Sequence, residues 1–530
     1  MNDGSVGRRG LALLQRAWRV SLVPAAARFA RAAADPARGQ AAMLRRLLAA
    51  NAGSRYGQQH GFGSIDCLAT YRSRVPVVDG PALEPWIARI AGGEPGVLTR
   101  EPVLLFERTA GSTAANKLVP YTAGLLAEFA AATNAWLYDL YQGRPGLLGR
   151  PTYWSVSPAT RQPERTAGGV PIGLSDDTAY FGVLRGALLR RMLAVPPEVQ
   201  RLADPEAWRR ATVRGLLGCR ALGLISVWSP TFLTELVDWL LPRWDELLAE
   251  LPPPRQAELA ALAPAARTGE RIWPGLELVS CWADGASAAY LPRLQRLFPG
   301  VQLQPKGLLA TEGVVTFPLL GVTGGVPAVT SHVLEFVDLD HPAAPPRGVH
   351  ELQAGASYTP LLTTGGGLYR YALRDQVDCL GHHGRLPRLR FVGKLDRTSD
   401  LCGEKLAATV VGEALARACR ECGVQPDFAL VAPDDGPHPG YTVLVESPAD
   451  DVVLGRLRDL LEQELARGAH YAYCRTLGQL DRLTVRRVDH GAQRFAQRLQ
   501  AEGQRLGEIK PTPLDARAGW PAALAAGPPR

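Results

Sequence analysis

The chain has 530 residues, of which 46% are hydrophobic and 21% charged. That is the make-up of a globular protein long enough to bury several cores without disulfides or metals. Its formal charge of +8 comes from 59 basic and 51 acidic residues mixed along the chain, with no basic block, which argues against nucleic-acid binding.

Residues 1–75 read as helical, rich in Ala, Leu and Arg, with a break at Asn51-Ala-Gly-Ser54. The Arg-rich, acid-free stretch Gly4–Ala34 is expected to be a plain N-terminal helix. Arg16 and Arg19 interrupt the apolar core that a secretion signal needs. A membrane span needs about 20 apolar residues, and the longest central run, Ala221–Thr234, contains Pro230, so no stable membrane insertion is expected. A short helix is expected at Leu83–Ile90. An apolar strand, Val103–Phe106, then leads into a small polar loop from Thr109 to Asn116 and an amphipathic helix from Ala123 to Tyr141. Between 150 and 300, strand-like Tyr153–Val156, Leu224–Trp228 and Leu276–Trp282 alternate with helices at 178–194, 230–250 and 285–297. Such alternation predicts α/β layers with mainly parallel sheet.

From 301 to 395 short strands (Ala328–Ser331, His332–Val337, Gly348–Ala354, Tyr358–Thr363, Arg390–Val392) alternate with Gly and Pro turns. That pattern predicts an antiparallel, barrel-like sheet. A smaller α+β unit follows, with helices near 404–421 and 450–467, strands at 427–432, 441–446 and 483–487, and a frayed tail from 513 to 530. The fold class expected is α/β. Residues 1–395 would form a large N-terminal domain of α/β layers plus the barrel-like region, and 396–530 a mobile lid. Eight cysteines are scattered. Cys419-x-x-Cys422 has no second pair to complete a zinc site and reads as two thiols one helical turn apart in a reduced, cytoplasmic protein.

Only five of the 59 basic residues are lysines: Lys117, Lys306, Lys394, Lys405 and Lys510. Arginine serves nearly every other cationic position, so each lysine stands out as a place where a compact ammonium is wanted. Four segments carry chemistry. Thr109-Ala-Gly-Ser-Thr-Ala-Ala-Asn-Lys117 follows a strand and precedes a helix. Gly111 lets backbone amides approach an anion, Thr109, Ser112 and Thr113 add hydroxyls, and Lys117 adds charge. No Gly precedes Lys117 and no hydroxyl follows it, so this is not the common nucleotide loop. Thr311-Glu312 presents a hydroxyl and a carboxylate at a strand end, oxygen ligands of the kind that Mg²⁺ shares with phosphate. Asp375, after Gly367–Arg374, can accept two hydrogen bonds from ribose hydroxyls. Phe391-Val-Gly-Lys-Leu-Asp396, followed by Gly403-Glu-Lys405, has the form of a hinge. Each segment alone also fits an ordinary turn, strand end or linker.

Together and in this order the segments resemble the adenylate-forming enzymes. More closely they resemble the auxin-responsive acyl acid–amido synthetases, in their bacterial branch. The resemblance runs from about 50 to 510. It includes Trp154-Ser-Val-Ser-Pro158, Val227-Trp-Ser-Pro-Thr231, Phe298-Pro-Gly-Val301 and Leu362–Tyr371. It implies ATP and Mg²⁺ as cofactors, and a small carboxylic acid and an amino acid, or another amine, as substrates. The acid would form an acyl-adenylate and then an amide. By the same resemblance, Thr109, Gly111, Ser112, Thr113 and Lys117 would cradle phosphates. Thr311 and Glu312 would bind the α-phosphate and the metal, Asp375 the ribose, Lys394 and Asp396 the hinge side of the nucleotide. Lys510, in Gly507-Glu-Ile-Lys-Pro511, would reach the α-phosphate.

The chain departs from the family pattern at four places. Ala114 and Ala115 stand where a Gly is usual, Leu308 or Leu309 where an aromatic stacks on adenine, Arg374 where Gly precedes the ribose Asp, and Lys394 where Arg is usual. Ligases that pass the acyl group to coenzyme A or a carrier thiol share every one of these motifs. A nucleotide-binding relative without activity would share most of them.

Overall fold

The computed structural model describes residues 7–109, 117–155, 164–173, 190–202, 204–395, 397–434, 436, 438–504 and 509–525. The N-terminal segment is helical as expected. Arg8–Ala34 buries Leu11, Trp18 and Leu22, and Trp18 meets Tyr141 edge-on at 5.3 Å. The helix Pro36–Asn51 is tied down by Gln40. Its amide nitrogen donates to the carbonyls of Val329 and His332, and its oxygen accepts from the Leu334 amide, at 2.7–2.9 Å. These helices are therefore part of the domain core. No helix among the described residues is long and apolar enough to cross a membrane.

Two sheets organise the large domain. The first is a parallel sheet of Thr152–Trp154, Leu224–Ser226, Leu278–Cys281 and Gln302–Pro305, in that spatial order. The strands Leu224–Ser226 and Leu278–Cys281, central in it, are buried along their whole length. The second is antiparallel. Its order is Thr316–Pro318, Gly325–Pro327, Leu386–Lys394, Asp375–His383, Ser357–Thr363, Val333–Asp338, Arg347–Gly348, with Tyr371–Ala372 beside Ser357–Thr363. A hairpin, Leu105–Arg108 with Leu118–Tyr121, carries the small polar loop at its tip.

Two expected strands are not strands. At Ala328–Ser331 the chain turns, with the Ser331 amide bonded to the Ala328 carbonyl at 2.8 Å. The turn delivers His332 to the core. At Gly348–Ala354 only Arg347–Gly348 pairs. Glu351 then folds back to accept from the Gly348 amide, capping the short helical turn Val349–Glu351. The helix expected at 178–194 falls largely outside the described residues.

The smaller unit places the helices Ala408–Cys422 and Asp451–Leu465 beside the sheet Phe428–Pro433, Tyr441–Glu446, Thr484–Arg487. Cys419 and Cys422 lie on one helix and all eight cysteines are free. The expected tail is folded at least to residue 525. Leu514 bridges to Val431, and the helix Trp520–Ala525 seats a fully buried Trp520 against Phe495 at 4.8 Å. Arg498 and Arg517 lie over the same indole. One buried indole outweighs the Pro, Gly and Ala composition that suggested fraying.

Candidate active site

In an open α/β sheet ligands bind outside the carboxyl ends of the parallel strands. Here that edge is dense with chemistry. Trp154 ends the first strand and Ser226 the second, with Trp228 two residues on. Ser280 and Cys281 end the third, followed by Trp282, and Lys306 follows the fourth. The backbone ladder continues past the strands. The Trp282 amide donates to the Trp228 carbonyl at 2.7 Å and the Lys306 amide to Cys281 at 3.1 Å, so these residues stand side by side rather than on loose loops.

Lys510 reaches this edge. Its ammonium lies 5.0 Å from the centre of the Trp282 ring, and it is deep in the protein though not sealed from solvent. Burial pushes its pKa down to about 8. Lys394 and Arg397 press the same way, while Asp375 and Glu312 oppose them. Those four charges locate the site: residues 312, 375, 394, 397 and 510 share one electrostatic neighbourhood. Asp375 is 1% exposed. It opens the strand Asp375–His383, and its cross-strand neighbour is Lys394, whose Nζ lies 2.8 Å from its carboxylate.

Thr311 and Glu312 form the two-residue tip of a tight hairpin, Leu309–Ala310 with Gly313–Val314, rather than the end of a lone strand. The tip is fixed from behind. The Tyr121 hydroxyl donates to the Thr311 carbonyl at 2.7 Å. The Val314 amide donates to His332 Nε2 at 3.0 Å, and His332 Nδ1 lies 2.9 Å from Glu128. Because Nε2 accepts, Nδ1 carries the proton and gives it to the Glu128 carboxylate. Glu128 also accepts from the Gly365 amide. Gly313 must be glycine here, since a Cβ would come within 2.8 Å of His332 Nε2.

Arg374 stands where a left-handed residue is required. Its φ is +56°, the reason that Gly suits this position before the aspartate. The strained backbone costs about 1 kcal/mol, and the Arg374–Asp79 pair at 2.8 Å is half exposed and returns little of it. Arg374→Gly is therefore expected to raise stability by about 0.5–1 kcal/mol, read as a higher urea midpoint. A lower midpoint would mean that the contact with Asp79 outweighs the strain.

Of the other expected site residues, Gly111, Ser112, Thr113 and Asp396 lie outside the described residues. Thr109 donates its amide to the Lys117 carbonyl at 3.0 Å, closing the neck of the loop. The exposed Lys117 side chain lies over Gly80, and its charge bears on Asp79. Sequence reasoning did not place Lys306 in the site. The Lys306 ammonium donates to Ser226 Oγ at 2.7 Å, lies 3.4 Å from Ser280 Oγ, and faces the rings of Trp136, Trp154 and Trp228 at 5.3–5.8 Å. The one available signal was the scarcity of lysine.

Comparison with known proteins agrees with this architecture. The GH3 family N-terminal domain matches residues 25–253, the GH3 family central domain 325–394, and the GH3 family C-terminal domain 409–515. The probable indole-3-acetic acid-amido synthetase GH3.12 of Oryza sativa subsp. japonica is 26% identical over 578 residues, 91% of this chain and 92% of that protein. The jasmonoyl–L-amino acid synthetase JAR4 of Nicotiana attenuata is 25% identical over 416 residues, 68% of this chain and 69% of that protein. Among solved structures, a GH3.15 acyl acid amido synthetase shares the fold with a TM-score of 0.79 at 18% identity, covering 93% of this chain and 94% of its own. With three successive domain matches spanning most of its length, the chain belongs to the GH3 family.

Proposed function

We propose that this protein is an ATP-dependent, AMP-forming ligase that activates a carboxylic acid and joins it to an amine, an amino acid being the expected acceptor. The observation that carries the reading is the gathering of Lys510, Glu312, Asp375 and Lys394 at one end of the parallel sheet. The amido synthetase relatives support it. In the first step an acid oxygen attacks the α-phosphorus and pyrophosphate leaves with its electron pair. In the second, the amine nitrogen attacks the acyl carbon, AMP leaves, and the amine gives up a proton.

The cleft suits a triphosphate, with ammonium groups for phosphate oxygens and a carboxylate, Glu312, free to hold a divalent cation. Such a cation would offset the charge of the departing pyrophosphate. Thr311 and Lys510 would hold the α-phosphate. Asp375, fixed by Lys394, would accept from the ribose hydroxyls, and Thr109, Gly111, Ser112, Thr113 and Lys117 would cradle the outer phosphates. We take residues 1–395 as the substrate-binding domain and 396–530 as a lid turning at Asp396, which excludes water from the activated acid. A cytoplasmic setting suits the eight free thiols.

The test is acid-dependent exchange of labelled pyrophosphate into ATP across a panel of acids, followed by AMP release with each amino acid. Exchange followed by amine-dependent AMP release is the expected result. Exchange with transfer only to thiols would reassign the second step, and no exchange with any acid would end the reading.

A further inference from the structure

Among the described residues, Lys306 is a deep cation with no anion beside it. Its hydrogen-bond partners there are two neutral hydroxyls, those of Ser226 and Ser280, and the described titrating group that bears on it is the Cys281 thiol. Burial holds that thiol neutral, pushed up to about 12. Three indoles attract an ammonium and fix its direction, but they do not neutralise it. Burial has accordingly pushed Lys306 down to about 7, and a bound anion would restore its charged form. A lysine kept in such a place, in a chain that uses arginine almost everywhere else, is poised for something that arrives from outside. Lys306, Trp154, Trp228 and Trp282 all keep part of their surface open, so the edge they form is reached by solvent rather than sealed.

We propose that this cleft takes a planar carboxylic acid bearing a second anionic oxygen group, and that Lys306 receives that distal group. The inference rests on the adenylation reading for the other end of the cleft, where Lys510 and Glu312 mark the reacting carboxylate. Lys306 faces the rings of Trp136, Trp154 and Trp228, whereas Lys510 faces Trp282 and feels Lys394, Asp375, Arg397 and Glu312. Of those rings Trp228 and Trp282 adjoin, with centres 5.8 Å apart and a tilt of 39°. Flat aromatic walls with a cation at each end fit a ring that carries acidic oxygens at opposite edges. Ser226 and Ser280 hold the Lys306 ammonium from behind and leave its remaining donor for the ligand.

The experiment uses the full chain and two probes, benzoate and terephthalate, which differ by one carboxylate at the far edge of the ring. Binding is followed through tryptophan fluorescence without ATP, and turnover through pyrophosphate exchange. Wild-type protein is expected to bind terephthalate about 10- to 100-fold more tightly, the gain of one charge-assisted hydrogen bond. Lys306→Met should erase that preference and leave benzoate affinity within about threefold. Ser226→Ala should shrink the preference without abolishing it, and serves as the second variant should Lys306→Met fail to fold. Equal wild-type affinities for the two acids, or variants that weaken both acids alike, would overturn the proposal. Preferential terephthalate binding with no exchange would end the adenylation reading and leave the subsite standing. Exchange that ignores the second carboxylate would do the reverse.

Discussion

Replacing Lys510 by alanine is expected to lower acid-dependent pyrophosphate exchange by about 10²- to 10³-fold, the usual loss when one preorganised charge is taken from a developing anion. The ammonium is held over Trp282, beside Glu312 and Asp375, in surroundings that screen it far less than water would. Such a charge acts on the developing anion and also on the phosphate already bound, so kcat should fall and the KM for ATP should rise. The fold should survive, because the segment is fastened at Leu514 and Trp520 and not at the lysine. A fall of less than about tenfold would remove Lys510 from the chemistry. The pH profile gives a second check. In the free protein Lys510 loses its proton near pH 8, so exchange at low ATP should decline as pH rises past that point. Saturating ATP should move the decline upward, since bound phosphate favours the charged form.

Glu335→Gln is expected to cost about 3–5 kcal/mol of stability, read from urea unfolding. Glu335 is 2% exposed and holds two guanidinium groups, Arg72 at 2.8 Å and Arg370 at 3.0 Å. Removing its charge leaves both cations inside the protein with no anion. The loss would spread beyond one contact. Arg370 also donates to the carbonyls of Arg72 and Val75, and its amide to Thr363, which in turn bonds the Tyr71 hydroxyl. This cluster welds the N-terminal helices to the antiparallel sheet. The double change Glu335→Leu with Arg370→Leu should recover part of the loss, because an apolar pair of similar bulk carries no desolvation penalty. A single-site loss under about 1 kcal/mol would show that water reaches Arg72 and Arg370 readily enough to replace the carboxylate.

The Arg370 cluster also shows where sequence reading stops. Tyr369-Arg370-Tyr371 is conspicuous as a motif, yet its work is structural. Tyr369 stacks on Tyr56 at 5.1 Å and Arg370 binds Glu335, partners no local pattern announces. Thr311-Glu312 and Asp375 were legible because each sits where a short apolar run meets a polar turn, a feature contained in a few consecutive residues. Three of the four parallel strands were legible for the same reason, while Gln302–Pro305, with its alternating glutamines, was not.

Lys306 was not legible as a site. Its neighbours Trp136, Trp154, Ser226, Trp228 and Ser280 come from four separate elements and meet only when the parallel strands align. The strand expected at 348–354 misread a stretch that Glu351 caps into a helical turn. The folded 513–525 segment was missed because a single indole, Trp520, decides it. The Arg374 departure was legible as a difference, and its φ of +56° gives the physical reason that glycine is the easier residue there.

The placement of the five lysines makes this a molecule that amine chemistry can read. Lys306, Lys394 and Lys510 are part-buried, and only Lys117 and Lys405 stand exposed. An acylating or reductive-alkylating reagent that elsewhere would scatter over dozens of surface positions has almost none to spend itself on here. Its rate of incorporation at three peptides, followed by mass, would therefore act as an occupancy gauge for the cleft, slowing as each ligand shields its own lysine.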